Sequence, residues 1–303
     1  MRIVSLVPHA TELLFELGLG PQVVGVTHEC DYPAQALTRE KVTRDVLPAG
    51  LSAGEIDAAV REQTLEGQAI YELDRAALER LEPELIVTQA LCPVCAVSYE
   101  EVAEIAKTMI SRPKVIALDP KTVGETLGDV RTIAEATGRR DEGVELIART
   151  AARIDRVKIS VRGLPRPRVV ALEWLDPVYI AGHWTPQLIE LAGGEDVLGL
   201  PGEHSETFSW ETIAAAEPEV AVVMPCGYDA PRAQQEALSF ASQLAGLKAE
   251  RVVAVNASAY FSRPGPRLVD GLELLAHVLH PDQIPAGAHD GESIALDMSG
   301  TVL

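Results

Sequence analysis

Leu81-Glu-Pro-Glu-Leu-Ile-Val-Thr88 and Ala216-Glu-Pro-Glu-Val-Ala-Val-Val223 share one pattern, an acidic-proline lead-in to a short apolar run. Proline stops a preceding helix, and a short run of this kind between breakers reads as a buried β-strand. A second matched pair lies upstream of each. Thr11-Glu-Leu-Leu-Phe-Glu-Leu-Gly-Leu-Gly-Pro-Gln-Val-Val-Gly25 is echoed by Pro186-Gln-Leu-Ile-Glu-Leu-Ala-Gly-Gly-Glu-Asp-Val-Leu-Gly199, each a helix, a glycine stop and a strand. A long repeat occurring twice predicts two similar lobes rather than a solenoid. A cleft between lobes is where a small ligand is expected to sit.

Working outward, strand–helix alternation in both halves predicts an α/β fold with two central, mostly parallel sheets. Helical spacing over 141–161, a stretch of roughly 30 Å at the standard rise, predicts a single long helix joining the lobes. The expected division is an N-terminal lobe over 1–120 with an insertion at about 34–80, linker helices over 121–164, a C-terminal lobe over 165–280, and a surface tail over 281–303. Within the insertion, Ser52-Ala-Gly-Glu55 has the form of a capping box, and Thr11 is expected to cap the first helix.

The chain has 303 residues, 47% hydrophobic and 23% charged, with net charge −19. That composition describes a globular protein and argues against a nucleic-acid partner. No apolar run is long enough to span a membrane. Met1-Arg-Ile-Val-Ser-Leu-Val-Pro8 lacks the core and cleavage site of a secretory leader. The expected location is therefore cytoplasmic, or periplasmic or cell-surface if the true N-terminus lies further upstream.

In open α/β sheets, ligands gather at the carboxyl ends of strands. The candidates in such loops are Pro8, His9, His28, Tyr32, Trp174, His183, Trp184, Tyr228, Tyr260, Phe261 and Arg263; Arg44, within the insertion, is a further candidate as a cation able to meet carboxylate, amide or phosphate groups. Aromatic residues are only 4% of the chain. Their concentration in predicted loops suits a large, flat, partly apolar ligand. His204 reads as merely exposed. Cys30, Cys92, Cys95 and Cys226 also fall on strand-end loops, so a four-sulfur zinc or iron site is one reading and packing as small hydrophobes the other. No phosphate loop, nucleophile elbow or acid–base pair is recognisable. The residues favour binding over turnover.

Ser5-Leu-Val-Pro-His-Ala-Thr-Glu12, Val24-Gly-Val26, Asp31-Tyr-Pro33, Leu81-Glu-Pro-Glu-Leu-Ile86, Leu191-Ala-Gly-Gly194, Glu217-Pro-Glu219 and Ser262-Arg-Pro-Gly-Pro-Arg267 occur in one order. By these motifs the chain resembles the substrate-binding proteins of ABC importers for vitamin B12 and iron–siderophores, over about residues 1–280. The Asp-Tyr-Pro element leans toward the cobalamin branch. The resemblance implies a class III periplasmic-binding-protein-like fold and a non-enzymatic role. It implies a corrinoid or related metal-chelate ligand and an ABC permease as partner. It places Pro8-His9, Tyr32, Arg44 and Tyr260-Phe261 at the ligand, and Glu211, seven positions before Pro218, where the importer docks. The chain departs from the cobalamin branch at Arg44, where an aromatic residue is usual, and in having Cys30, Cys92 and Cys95. The alternative reading is a cytoplasmic metal or redox protein with a Cys-rich site in the inter-lobe cleft.

Overall fold

The computed structural model describes residues 1–48, 50–65, 70–90 and 99–298. The chain divides into two units, Met1–Pro120 with Gly124–Ile147, and Lys121–Val123 with Ala148–Leu303. The first contains β1 (Ile3–Ser5), α1 (Pro8–Glu16), β2 (Val23–Val26), β3 (Glu40–Lys41), β4 (Thr43–Asp45), α2 (Ala53–Leu65), β5 (Tyr71–Leu73), α3 (Arg75–Leu81), β6 (Leu85–Gln89), α4 (Tyr99–Thr108), β7 (Lys114–Leu118) and α5 (Val123–Thr137). The long helix α6 (Arg140–Ser160) is continuous across the division.

The first sheet has the order β3-β2-β1-β6-β7, with every neighbouring pair parallel. A parallel sheet must be covered on both faces, and successive residues of a strand point to opposite faces. Ile3 and Val87 accordingly enter one apolar cluster with α1 and α5 residues, while Val4 and Ile86 enter another with α3 and α4 residues.

The second unit contains β8 (Arg168–Leu175), β9 (Val178–Ile180), α7 (Thr185–Leu191), β10 (Glu195–Asp196), β11 (Glu206–Thr207), α8 (Trp210–Ala215), β12 (Val220–Val223), α9 (Ala230–Ser239), α10 (Ala241–Gly246), β13 (Arg251–Val255), α11 (Ala257–Tyr260), α12 (Leu268–Leu279) and β14 (Ser293–Leu296). Its parallel centre, β10-β8-β12-β13, repeats the order β2-β1-β6-β7 of the first unit. The duplicated sequence is thus a duplicated topology. The edges differ, because β9, β11 and β14 pair antiparallel.

The Glu-Pro-Glu motifs do the same physical work in both units. Glu82 and Glu217 take up left-handed backbone, φ 44° and 47°, just past the preceding helix. Two residues on, Glu84 Oε2 accepts the Arg2 N–H at 2.8 Å, and Glu219 Oε2 accepts the Arg168 N–H at 2.7 Å. The Arg2 and Arg168 side chains donate in return to the carbonyls of Leu81 and Ala216, each at 2.6 Å. Each motif therefore clasps the N-terminal end of its unit's central strand to the strand beside it.

Three local expectations change. α1 begins at Pro8, so Thr11 is an interior residue and its hydroxyl donates to Ser5 Oγ at 2.8 Å instead of capping. Residues 34–80 read as polar and helical in sequence, yet they also supply β3 to the sheet and the β4–β5 hairpin, besides α2 with its Ser52–Glu55 capping box. The expected tail includes β14, which pairs with β13. Asn256 explains that docking, since its N–H and Nδ2 donate to Glu292 at 3.0 and 2.7 Å.

Two measurements test this account. Glu219→Ala leaves the Arg168 N–H without its carboxylate and is expected to cost about 1–2 kcal/mol, read as a lowered melting temperature. Asp129 on α5 is pushed up to about 7, by burial first and then by Glu125 and Asp119. A carboxyl raised in the folded state contributes its full stability below its unfolded pKa and loses it as pH rises through the folded value. Asp129→Asn is therefore expected to raise the melting temperature at pH 8 and to change little at pH 4. The gain, discounted for the solvent reaching a half-buried group, is about 1–2 kcal/mol.

Candidate functional site

The carboxyl ends of the first unit's strands carry a compact polar constellation. After β1 the chain turns directly into α1, which places Pro8 in its first turn and buries His9. After β2, Cys30 is 1% exposed and lies 3.1 Å from both Thr11 Oγ1 and Thr27 Oγ1. Burial pushes its thiol up, against the threonine bonds. It packs in the apolar cluster beneath α1. His28 is held by Thr43, whose Oγ1 accepts the His28 N–H at 3.1 Å and lies 2.8 Å from Nδ1. The His28 ring meets Tyr71 edge-on at 4.9 Å, and the Tyr71 hydroxyl donates to Glu29 at 2.9 Å. Tyr32 is exposed. Arg44 is exposed as well, and its Nε donates to Glu72 at 2.9 Å across the β4–β5 pair.

The second unit gathers its rings at the ends of β8, β12 and β13. Trp174 and Tyr228 meet edge-on at 5.7 Å, and the Arg232 guanidinium stacks 3.8 Å over Tyr228. The loops after β12 and β13 are tied together: Gly227 N–H donates to Ser262 Oγ at 3.1 Å, and Ser258 N–H to the Tyr228 carbonyl at 2.9 Å. Trp184 is buried and its Nε1–H donates to the Phe261 carbonyl at 2.8 Å, so Trp184 and the buried Phe261 brace this loop. Arg263 is half-buried beside them in sequence. Tyr260 meets His289 edge-on at 5.8 Å, and its phenol is pushed up to about 12 by burial and the carboxylates of Glu292 and Asp270.

Asp270, Glu273 and His289 present ligand atoms within 4.8 Å of one another. Arg153 already supplies the cation there, with Nη2 at 2.5 Å from Asp270 and 2.7 Å from Glu273. Of the cysteines, Cys30 lies in the first unit's core, Cys226 is exposed on the second, and Cys92 and Cys95 fall outside the described residues.

Among the expected residues the structure brings together Trp174 with Tyr228, Trp184 with Phe261, and His183 with Trp184, whose rings lie 5.5 Å apart. It joins Arg44 to Glu72 instead of another candidate. Four partners escaped the sequence reading: Tyr71, Arg232, His289 and His204, the last lying with Nδ1 3.2 Å from His183 Nε2. Tyr71 had a signal, a rare aromatic in the alternating Ile70-Tyr-Glu-Leu73. His204 had none, since only the pairing of β11 with β9 brings it near.

A family profile described as "Periplasmic binding protein" matches residues 3–251. The Vitamin B12-binding protein of Vibrio cholerae serotype O1 is 22% identical over 274 residues, covering 90% of this chain and 86% of that protein. The ABC transporter substrate-binding lipoprotein YvrC of Bacillus subtilis is 23% identical, covering 93% and 80%. The crystal structure of periplasmic vitamin B12 binding protein BtuF of Vibrio cholerae superposes with TM-score 0.66 at 20% identity, covering 92% of this chain and 96% of that one. A periplasmic heme binding protein from Pseudomonas aeruginosa gives TM-score 0.69 at 18% identity, covering 93% of each. These findings overturn the expected cytoplasmic location, because the family and its relatives are described as periplasmic or as lipoproteins. That expectation rested on the opening residues, and Ile3–Ser5 is a central sheet strand that carries no targeting information. The chain belongs to the periplasmic binding protein family and is a binding protein, not an enzyme.

Proposed function

We propose that this chain is the substrate-binding component of an ABC importer, working outside the cytoplasmic membrane, and that its ligand is cobalamin or a related metal-chelate such as heme. Trp174 and Arg232, which flank the buried Tyr228 ring at the ends of β8 and β12, carry the reading. Faces and edges of aromatic rings offer a macrocycle apolar contact with defined geometry. A guanidinium can meet the amides, carboxylates or phosphate around its edge. Arg232 is already seated on a ring, and Arg263 and Arg267 lie in the loop after β13. Tyr32, exposed after β2, offers a further ring on the first unit.

Several further observations support this assignment. The Vibrio cholerae and Pseudomonas aeruginosa proteins above are named for binding vitamin B12 and heme. Asp31-Tyr-Pro33 favours the corrinoid between these two. Glu211, in the first turn of α8, suits a docking contact with a permease. Its own backbone N–H and the Ser209 hydroxyl hold its carboxyl below the usual carboxylate range, so it stays charged across the physiological range.

Parallel calorimetric titrations with cyanocobalamin and hemin test the proposal. Saturable binding of the corrinoid at micromolar or lower concentration is the expected result. Binding of hemin alone would move the assignment to heme, and no heat from either at tens of micromolar would remove the ligand class. Trp174→Ala is expected to weaken binding by about 1–2 kcal/mol, roughly fivefold to thirtyfold in Kd. Unchanged affinity in that variant would mean that the ring pair is not part of the ligand surface.

A further inference from the structure

His183 and His204 come from two segments that the fold locks side by side. The Gly182 N–H donates to Ser205 Oγ at 3.1 Å, the His183 N–H to the Glu203 carbonyl at 2.6 Å, and the Gly202 N–H to the His183 carbonyl at 2.8 Å. The approach is so close that a Cβ on Gly182 would lie 2.4 Å from the Glu203 carbonyl oxygen. His183 itself holds left-handed backbone, φ 52°. Such backbone is uncommon for a residue with a side chain, and histidine adopts it more readily than most. Here it delivers the imidazole to a second one, with ring planes 87° apart.

We propose that His183 and His204 form a chelating pair for a divalent first-row transition ion. Their facing nitrogens, Nε2 and Nδ1, are 3.2 Å apart. Two imidazoles on one ion at a Zn–N length of 2.0–2.1 Å stand about 2.8–3.0 Å apart at a right angle and about 3.3–3.4 Å apart at the tetrahedral angle. The observed spacing falls between these limits, so the ion needs ring rotation and no backbone movement. Both imidazoles can present the facing nitrogen unprotonated by carrying the proton on the other one. His204 and its neighbour Glu203 are exposed, which leaves room for water or another donor in the remaining positions. Imidazole donors select zinc, nickel, cobalt or copper over magnesium and calcium.

Equilibrium dialysis of the purified chain against zinc, with Cys92, Cys95 and Cys226 all changed to Ser to exclude thiolate capture, tests the site. One zinc per chain is expected, weakened at least tenfold by His204→Gln and by His183→Gln, with no displacement by millimolar magnesium. His204→Gln changes an exposed loop residue, so its result does not hinge on folding. Absence of zinc binding at a hundred micromolar, or binding undiminished in His204→Gln, overturns the proposal. Because the ligand titrations above use other probes and another variant, failure of either reading leaves the other intact.

Discussion

A carboxylate accepting a backbone N–H at the start of the central strand underlies both halves of this protein. Glu84 and Glu219 perform it with nearly the same geometry, and arginine side chains at the start of the central strand, Arg2 and Arg168, return a bond to the end of the preceding helix. The Glu84 and Glu219 carbonyls also accept the N–H groups of Lys114 and Arg251, where the next strand begins. One short motif thus lines up the amino ends of three adjacent strands. With parallel strands in register there, their carboxyl ends open together on the opposite side, and the loops that follow them inherit the chemistry.

Those loops are held in ways that separate rigid from available groups. Trp184 spends its indole N–H on the Phe261 carbonyl, and His9, Cys30 and Phe261 are buried. They hold the loops in place. Tyr32 in the first unit and the half-buried Trp174 in the second keep ring surface accessible, with the buried Tyr228 edge-on to Trp174 and Arg232 seated on Tyr228. Rings held in this way are preorganised, which limits the ordering cost of any binding they take part in.

The antiparallel edges account for much of what distinguishes the second unit from the first. The β8–β9 return carries Trp174 at its turn and His183 just beyond it, and β11 brings His204 alongside. The final strand, β14, follows Glu292 and His289, which contact Asn256 and Tyr260 beside the loop after β13. These additions lie on the edges of an otherwise repeated sheet.

The sequence by itself determined the alternation of strands and helices and the duplication. Glu-Pro-Glu, the glycine stops and the apolar runs are local signals, and each acts on residues near it in the chain. It also pointed to Trp174 and Tyr228, because rings are rare here and one stands at the end of a strand and the other just past one. Only the tertiary structure decided which of the candidate residues are buried and which meet. Tyr71 reaches His28, and His204 reaches His183, through strand pairing between distant segments. Strand register at a sheet edge depends on packing against the rest of the sheet, and no short stretch of sequence encodes it.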